Sequence, residues 1–509
     1  MMTSASNAFL DDVAGKADEL VKARQIPGKF VVRVHTITTE EDICMQPAEE
    51  CRPIHPNRRP PILESSSLDP IVAELTTIKS AIDFYAAHTK RVHGIADRRV
   101  KVIKLSLGHR MLQFAGLVEP PVEGVDSRKY TKFVTHFNGY KESEEIQEDK
   151  EAFNQELRLL RDDVLSRASV VICTLYTTGA TCVREQVKPA IIAIDEAAKV
   201  TEPELWPILA WFKPDAFLLM GDQKQLQPVV LSSREDNPFR DQLSVSFFTR
   251  MHLAGLMRVM FREQHRMCPD ISRVVNKVFY HSQLQDAESV CTPDPLSQNL
   301  TVWNGSKFGV SSPLVFMENR NGQTDRDSSG SSYNMSNIKV SLTLVENLLV
   351  DNVATGRDIT IITPYQAQMS RYCDYLYRLQ VEKPTIGVEK VSVFTVDSFQ
   401  GGEAPLVIVD LVATKRAGFV RESNRLNVML SRAKYGMYII GNGDVLDDRK
   451  SGRWLPRVFL NLRKHQSRKR VFDSLADPVS YQDFAMTNET EPTPSSEDFP
   501  MTNATWADW

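Results

Sequence analysis

Asp195 and Glu196 stand together at the end of an apolar run, Ile191-Ile192-Ala193-Ile194. A carboxylate there can hold Mg²⁺, and its neighbour can orient or deprotonate a water that attacks a phosphate. The same two residues can equally be a charge pair at a helix N-terminus. The next apolar run, Phe217 to Met220, ends in Gly221-Asp222-Gln223-Lys224-Gln225. Gly221 allows a tight turn, and Gln225 can sense a phosphate on the neighbouring strand end. Farther on, His265-Arg266 stands just before Pro269, and Thr363 closes another run. Thr395 opens a segment that ends in Gln400-Gly401-Gly402-Glu403. Asn424 to Lys434 reads as one helix carrying Arg425, Arg432 and Lys434, with the two arginines seven residues apart and so on one face. Such arginines are either surface ion pairs or groups that reach across a cleft to neutralise a transferred phosphoryl group. The second role is worth roughly 10³–10⁵ in rate.

These groups need strand ends to hold them. Short apolar runs occur at 30–34, 170–174, 191–195, 217–221, 359–363, 406–410 and 437–441. Runs that are apolar throughout, rather than alternating, mean burial on both faces, which predicts α/β architecture with parallel sheets covered by helices. Ligands of such sheets sit at the carboxyl ends of the strands, where the polar residues above lie. Ile146, Phe153, Leu157, Leu160 and Val164 make one helical stripe. That helix closes an interruption of about 40–166, read as an insertion into the first sheet domain. Residues 319–336 are rich in Gly, Ser and Asp and read as a mobile loop. The expected organisation is a first domain over 1–258, a second over 259–470, and a disordered acidic tail over 471–509.

The chain has 509 residues, 42% hydrophobic and 25% charged, the balance of a globular protein. No apolar run approaches the ~18 residues of a membrane span, and the N-terminus lacks the pattern of a signal peptide. Seven cysteines without a CxxC pair argue against a disulfide framework or a cysteine zinc site. A nuclear or cytoplasmic protein, not a secreted one, is expected. Net charge is −4, but nine Lys or Arg and no acid lie between Arg449 and Arg470. Clusters of this kind are either solvated faces or phosphate contacts.

The ordered set DEAA, GDxxQLxPVV, EQxRMxPxIS, ITPYxAQ, TVDSFQGxE and NRLNVxLSRAK resembles motifs II to VI of superfamily 1B helicases, in the up-frameshift and senataxin-like branch. The resemblance covers about Met1 to Gly443. It implies two RecA-like domains of the P-loop NTPase type that clamp ATP and Mg²⁺ and move 5′ to 3′ on single-stranded RNA or DNA, with no membrane and a monomeric chain. It further implies that Asp195 binds Mg²⁺, Glu196 is the general base, Gln225 reads the γ-phosphate, and Arg266 and Arg432 are arginine fingers. His265, Gly401, Glu403 and Arg425 would line the nucleotide. Asn7, Thr174, Thr363 and Thr395 would touch the nucleic-acid backbone, as would the 40–166 insertion. The chain departs from the family pattern at His265, where Tyr is usual, and at Gly402, where Arg or Lys is common. No G-x-x-x-x-G-K-[ST] occurs in the 509 residues. The expectation is therefore an ATP-dependent helicase truncated before its phosphate loop. The alternative is a non-catalytic protein that binds nucleic acid or a partner.

Overall fold

The computed structural model describes residues 1–4, 7–24, 27–37, 40, 103–143, 150–230, 232–256, 259–320, 322–414, 417–447, 454–464 and 468–470. The first sheet contains β1 (Met2–Ser4), β2 (Val31–Val34), β3 (Val170–Thr174), β4 (Ile191–Ile194) and β5 (Ala216–Leu219). Their order is β2-β3-β1-β4-β5, and every pair is parallel. Four of these strands fall on the apolar runs. β1 has no such run, yet it fills the centre of the sheet, with Thr3 beside Cys173 and Ile194.

Helices α1 (Asn7–Ala23), α2 (Leu107–Phe114) and α3 (Lys150–Arg167) cover this sheet. Ser106 starts α2 by accepting the His109 N–H at 3.1 Å, an N-cap contact. The α3 stripe Phe153, Leu157, Leu160 and Val164 is buried in one core with Leu107, Phe114, Val32, Val171 and Ile192. The described helices of the expected insertion thus share the core of the first sheet.

Helix α4 (Glu202–Trp211) links β4 to β5, and its start is fixed by the Glu204 carboxylate accepting from Thr201 N–H at 2.8 Å. Strands β6 (Glu263–Gln264) and β7 (Gln285–Asp286) pair in parallel and flank α5 (Pro269–Phe279). In α5 a proline at the first position suits a helix start. Ile271, Val274, Val275 and Val278 then face the core at helical spacing.

The second sheet contains β8 (Leu314–Glu318), β11 (Ile359–Thr363), β12 (Ser392–Thr395), β13 (Ala404–Asp410), β14 (Ala433–Gly441) and β15 (Arg468–Arg470). It runs β12-β11-β13-β14-β8-β15, again all parallel. The last basic triplet of the 449–470 cluster is therefore a strand beside β8. Helices α6 (Met335–Val350) and α7 (Gln366–Glu382) cover one face, and α5 and α8 (Ser423–Leu430) the other.

Two expectations are corrected. Residues 319–336 hold a hairpin, β9 (Asp325–Arg326) with β10 (Ser332–Tyr333), not a mobile loop. Asp327 closes its turn by accepting from the Ser329 and Ser331 N–H groups, and Thr324 Oγ1 donates to the Val412 carbonyl at 2.9 Å. Polar residues that read as loop-forming thus order the segment by capping it. Second, α8 ends at Leu430, before Arg432, because β14 begins at Ala433. Arg425 and Arg432 do not share a helical face. The acidic tail 471–509 and most of the 40–102 segment lie outside the described residues.

Candidate active site between the two sheets

The carboxyl ends of β4 and β5 meet the second domain across a cleft. Asp195 follows β4, its N–H bonded to the Thr3 carbonyl at 3.0 Å, so central β1 sets its position. Asp195 Oδ1 accepts from the Glu196 N–H at 2.8 Å. Glu196 has φ 53°, a left-handed conformation unusual for a non-glycine residue and one that concentrates at functional sites. Burial raises the carboxyl of Asp195 above the ordinary carboxylate range. Burial also raises that of Glu196, reinforced by the charge of Asp195. Gly221 allows the two strand ends to approach closely. A Cβ there would lie 2.9 Å from the Ala198 backbone nitrogen.

Gln225 sits in the turn after Gly221. Its Nε2 donates to Asp222 Oδ2 at 3.0 Å, and its Oε1 accepts from Arg432 Nη2, also at 3.0 Å. Arg432 is fully buried and donates as well to the Gly402 and Val428 carbonyls. Burial, with repulsion from Arg266, pushes Arg432 down to about 9, which leaves it cationic at neutral pH. The second domain grips the Gln225 turn with three more side chains. Tyr280, which caps α5, donates to Asp222. Asn427 Nδ2 donates to the Lys224 carbonyl at 3.0 Å. Asn424 donates to the Gln225 carbonyl. Leu226 is buried in the second domain's core. From the turn after β12, Gln400 Nε2 donates to Glu196 Oε2 at 2.8 Å.

Arg266 lies on the same cleft but is held differently. Its Nε donates to Glu403 Oε2 at 3.0 Å and its Nη1 to the Ser431 carbonyl at 3.2 Å. Glu403 also pairs with Lys434 Nζ at 3.3 Å. Burial opposes the charge on Glu403, but Arg266 and Lys434 outweigh it and hold the carboxyl below the ordinary range. His265 is exposed, with Nε2 3.5 Å from Glu263 Oε1. Gly401, at φ 78°, faces Glu196 across the cleft. Arg425 is not among these groups. It pairs with Glu422 at 2.6 Å and lies over the Phe419 ring. A cavity of about 740 Å³ opens beside Arg266 and Lys434, but Glu196, Gln225 and His265 do not line it. The chemistry is gathered in the cleft and not there.

The residues expected to meet nucleic acid divide. Asn7 opens α1. Thr174 closes β3 half-buried, and its Oγ1 accepts the Thr177 N–H at 3.2 Å. Thr395 closes β12 half-buried and donates to Ser398 Oγ at 2.9 Å. Thr363 is fully buried, and among the described residues its hydroxyl has no hydrogen-bond partner, so it is not presented to a strand on the surface. Sequence reasoning missed Gln400, Asn424 and Asn427, although each lies inside a segment singled out for other residues. Tyr280 carried no local signal at all.

Among the described residues no group of three or more His, Cys, Asp or Glu could hold a metal ion. Asp195 offers a hard oxygen donor of the kind Mg²⁺ takes alongside water and phosphate oxygens.

Two AAA domain families match the chain, one over residues 3–233 and the other over 243–444. The chain is similar to the 5'-3' DNA helicase ZGRF1 of Mus musculus, at 28% identity over 375 residues, 71% of this chain and 19% of that protein. It is similar to the ATP-dependent helicase NAM7 of Saccharomyces cerevisiae, at 32% identity over 304 residues, 58% of this chain and 29% of that protein. The crystal structure of Arterivirus nonstructural protein 10 (helicase) aligns with 55% of this chain and 44% of its own, at 15% identity and a TM-score of 0.27. The chain thus spans less than a third of the length of these curated relatives.

Proposed function

We propose, for a chain that belongs to the superfamily 1 helicases of the up-frameshift-like branch, that its two RecA-like domains form the hydrolytic and strand-gripping apparatus of an ATP-dependent helicase. The substrate is single-stranded RNA or DNA, tracked 5′ to 3′. One observation carries the reading. Across one cleft, Glu196 of the first domain accepts from Gln400 of the second, and Gln225 of the first accepts from Arg432 of the second. A base, a phosphate sensor and a cation from opposite domains are what phosphoryl transfer between two domains needs.

The geometry supports a role for each residue. Asp195 would hold Mg²⁺, which neutralises charge on the phosphate oxygens. Glu196 takes a proton from water. Its burial raises its proton affinity, which suits a base. Gln225, oriented by Asp222, and Arg432 meet the developing charge on the transferred group. Arg266 joins them when it leaves Glu403. Thr174 and Thr395 lie at carboxyl strand ends, one in each domain, and support contact with a strand crossing both sheets.

The phosphates of ATP are commonly cradled by the N–H groups and lysine of a G-x-x-x-x-G-K-[ST] loop, and the 509 residues contain none. From these residues alone we expect turnover far below the ordinary ~1–10³ s⁻¹. Among the described residues no strand pairs with the outer edge of β5, and a parallel strand there would end beside Gly221. Fusing a strand–loop–helix unit of that pattern ahead of Met1 should therefore raise strand-stimulated hydrolysis into that range. Glu196→Gln in the fusion should then abolish turnover and leave ATP binding intact. Wild-type turnover in that variant, or no gain on fusion, would overturn the reading.

A further inference from the structure

We propose, on the functional reading above, that Gln400 is a positioning residue of the hydrolysis step. It holds the base Glu196 through its amide N–H and offers the attacking water a second acceptor through its amide oxygen. Gln400 Nε2 lies 2.8 Å from Glu196 Oε2. An ionised carboxylate only accepts, so the amide must turn its NH₂ toward Glu196 and its oxygen away. That oxygen is buried and, among the described residues, accepts no hydrogen bond. Buried polar atoms are seldom left so, because the desolvation is costly without a donor. Gln400 thus leaves one acceptor beside the base for a donor that is not part of the protein.

The surroundings hold Gln400 in place. It sits on the turn from Thr395 to Glu403, where Thr395 Oγ1 donates to Ser398 Oγ and the Phe399 ring stacks on Phe394 at 4.8 Å. Gly401 at φ 78° bends the chain toward Glu196 in a conformation that favours glycine. Arg432 Nη1 donates to the Gly402 carbonyl at 3.3 Å, so the same arginine that meets Gln225 braces this turn. Glu196 belongs to the first domain and Gln400 to the second. The pair forms only when the domains are closed, which ties base alignment to closure.

A water between Glu196 and Gln400 Oε1 has an acceptor for each hydrogen and keeps a lone pair for phosphorus. Its oxygen bonds to the γ-phosphorus as the bond from phosphorus to the β–γ bridging oxygen breaks, and that electron pair leaves with ADP. One proton passes to Glu196, and the other stays on the phosphate formed, facing Gln400 Oε1.

The chain carrying the fused strand–loop–helix unit described above is tested with Mg²⁺, ADP and aluminium fluoride, which together mimic the transferred group with its attacking water. Affinity for fluorescent ADP is measured with and without the fluoride, and bound fluoride is followed by ¹⁹F NMR. The fusion with Gln400 unchanged should bind ADP more tightly when the fluoride is present. Gln400→Met, of similar volume but without polar atoms, should lose about 10- to 100-fold of that tightening, the size expected for a hydrogen bond to a charged group. Its affinity for ADP alone should not change. Gln400→Glu keeps an acceptor but places a second carboxylate against Glu196, so it should lose at least as much. Undiminished tightening in folded Gln400→Met and Gln400→Glu overturns the proposal. No tightening in the fusion with Gln400 unchanged overturns the functional reading itself.

Discussion

Arg432 and Arg266 lie on one cleft but are restrained by different kinds of partner. Arg432 is fully buried among carbonyls and the Gln225 amide, so its charge is aimed by neutral dipoles. Arg266 is partly exposed and tethered to a carboxylate, Glu403. The depressed carboxyl of Glu403 has a consequence for stability. A carboxyl held lower in the folded state than in the unfolded one stabilises the fold above its unfolded value, and that stabilisation is lost as pH falls through the folded value. Because the pair is about half exposed, it contributes no more than ~1 kcal/mol. We expect Glu403→Gln to lower the melting temperature slightly at pH 7, and by less as the pH falls and the wild-type carboxyl takes up its proton. A gap that stays the same size across an acid titration in thermal melts would contradict this.

At the scale of elements, β5 stands apart from the other strands of the first sheet. Its sequence, Ala216-Phe217-Leu218-Leu219, is apolar, yet Phe217 is 41% and Leu218 50% exposed. It forms the sheet edge beyond β4, and on helix α4 Trp206, Leu209 and Trp211 are exposed as well. A flat apolar edge with unpaired N–H and C=O groups invites pairing with another chain, and an apolar patch of this kind invites association. We expect the protein to self-associate through this edge as its concentration rises. Leu218→Lys should reduce that association, seen as a smaller weight-average mass in sedimentation, with the melting temperature kept within a few degrees. Equal association in both proteins would place the contact elsewhere.

At the scale of the whole molecule, the two domains are locked mainly through one turn. Residues 222–227 of the first domain receive Tyr280, Asn424, Asn427 and Arg432 of the second, and Leu226 is buried beyond the cleft. Movement of that turn therefore moves one sheet against the other, and with it Thr174 relative to Thr395. A strand held at both threonines would be held mostly by its phosphates. Binding to single-stranded oligonucleotides should accordingly be independent of sequence and fall steeply with salt. A protein that neutralises 6–10 phosphates loses about 10³–10⁵ in affinity between 50 and 200 mM salt. Fluorescence-anisotropy titrations across that range provide the check, and an affinity indifferent to salt would rule out phosphate contacts as the main attraction.

Much of this was written in the sequence. The strands buried on both faces announced themselves as apolar runs, because burial on both faces leaves no room for alternation. Asp195, Glu196 and Gln225 stood out because each is a polar group placed at or near a strand end, and Arg432 because it is one of three cations in a segment read as a helix. The order of motifs then supplied the family, which two domain matches covering 3–233 and 243–444 support. The tertiary structure decided the rest. β1 is only Met2-Thr3-Ser4, and its central place comes from pairing with distant strands, which no local pattern encodes. The α8 segment has a helical pattern through Lys434, but sheet pairing takes the chain at Ala433 and ends the helix early. Thr363 sits at a strand end like Thr395, yet packing buries one and leaves the other partly open. Gln400, Tyr280 and Asn427 have roles only because residues 204, 58 and 203 positions apart meet across the cleft. Local sequence specifies which groups can do chemistry. Long-range pairing and burial select which of them face one another, because those contacts depend on where the sheets bring the chain back and not on spacing along it.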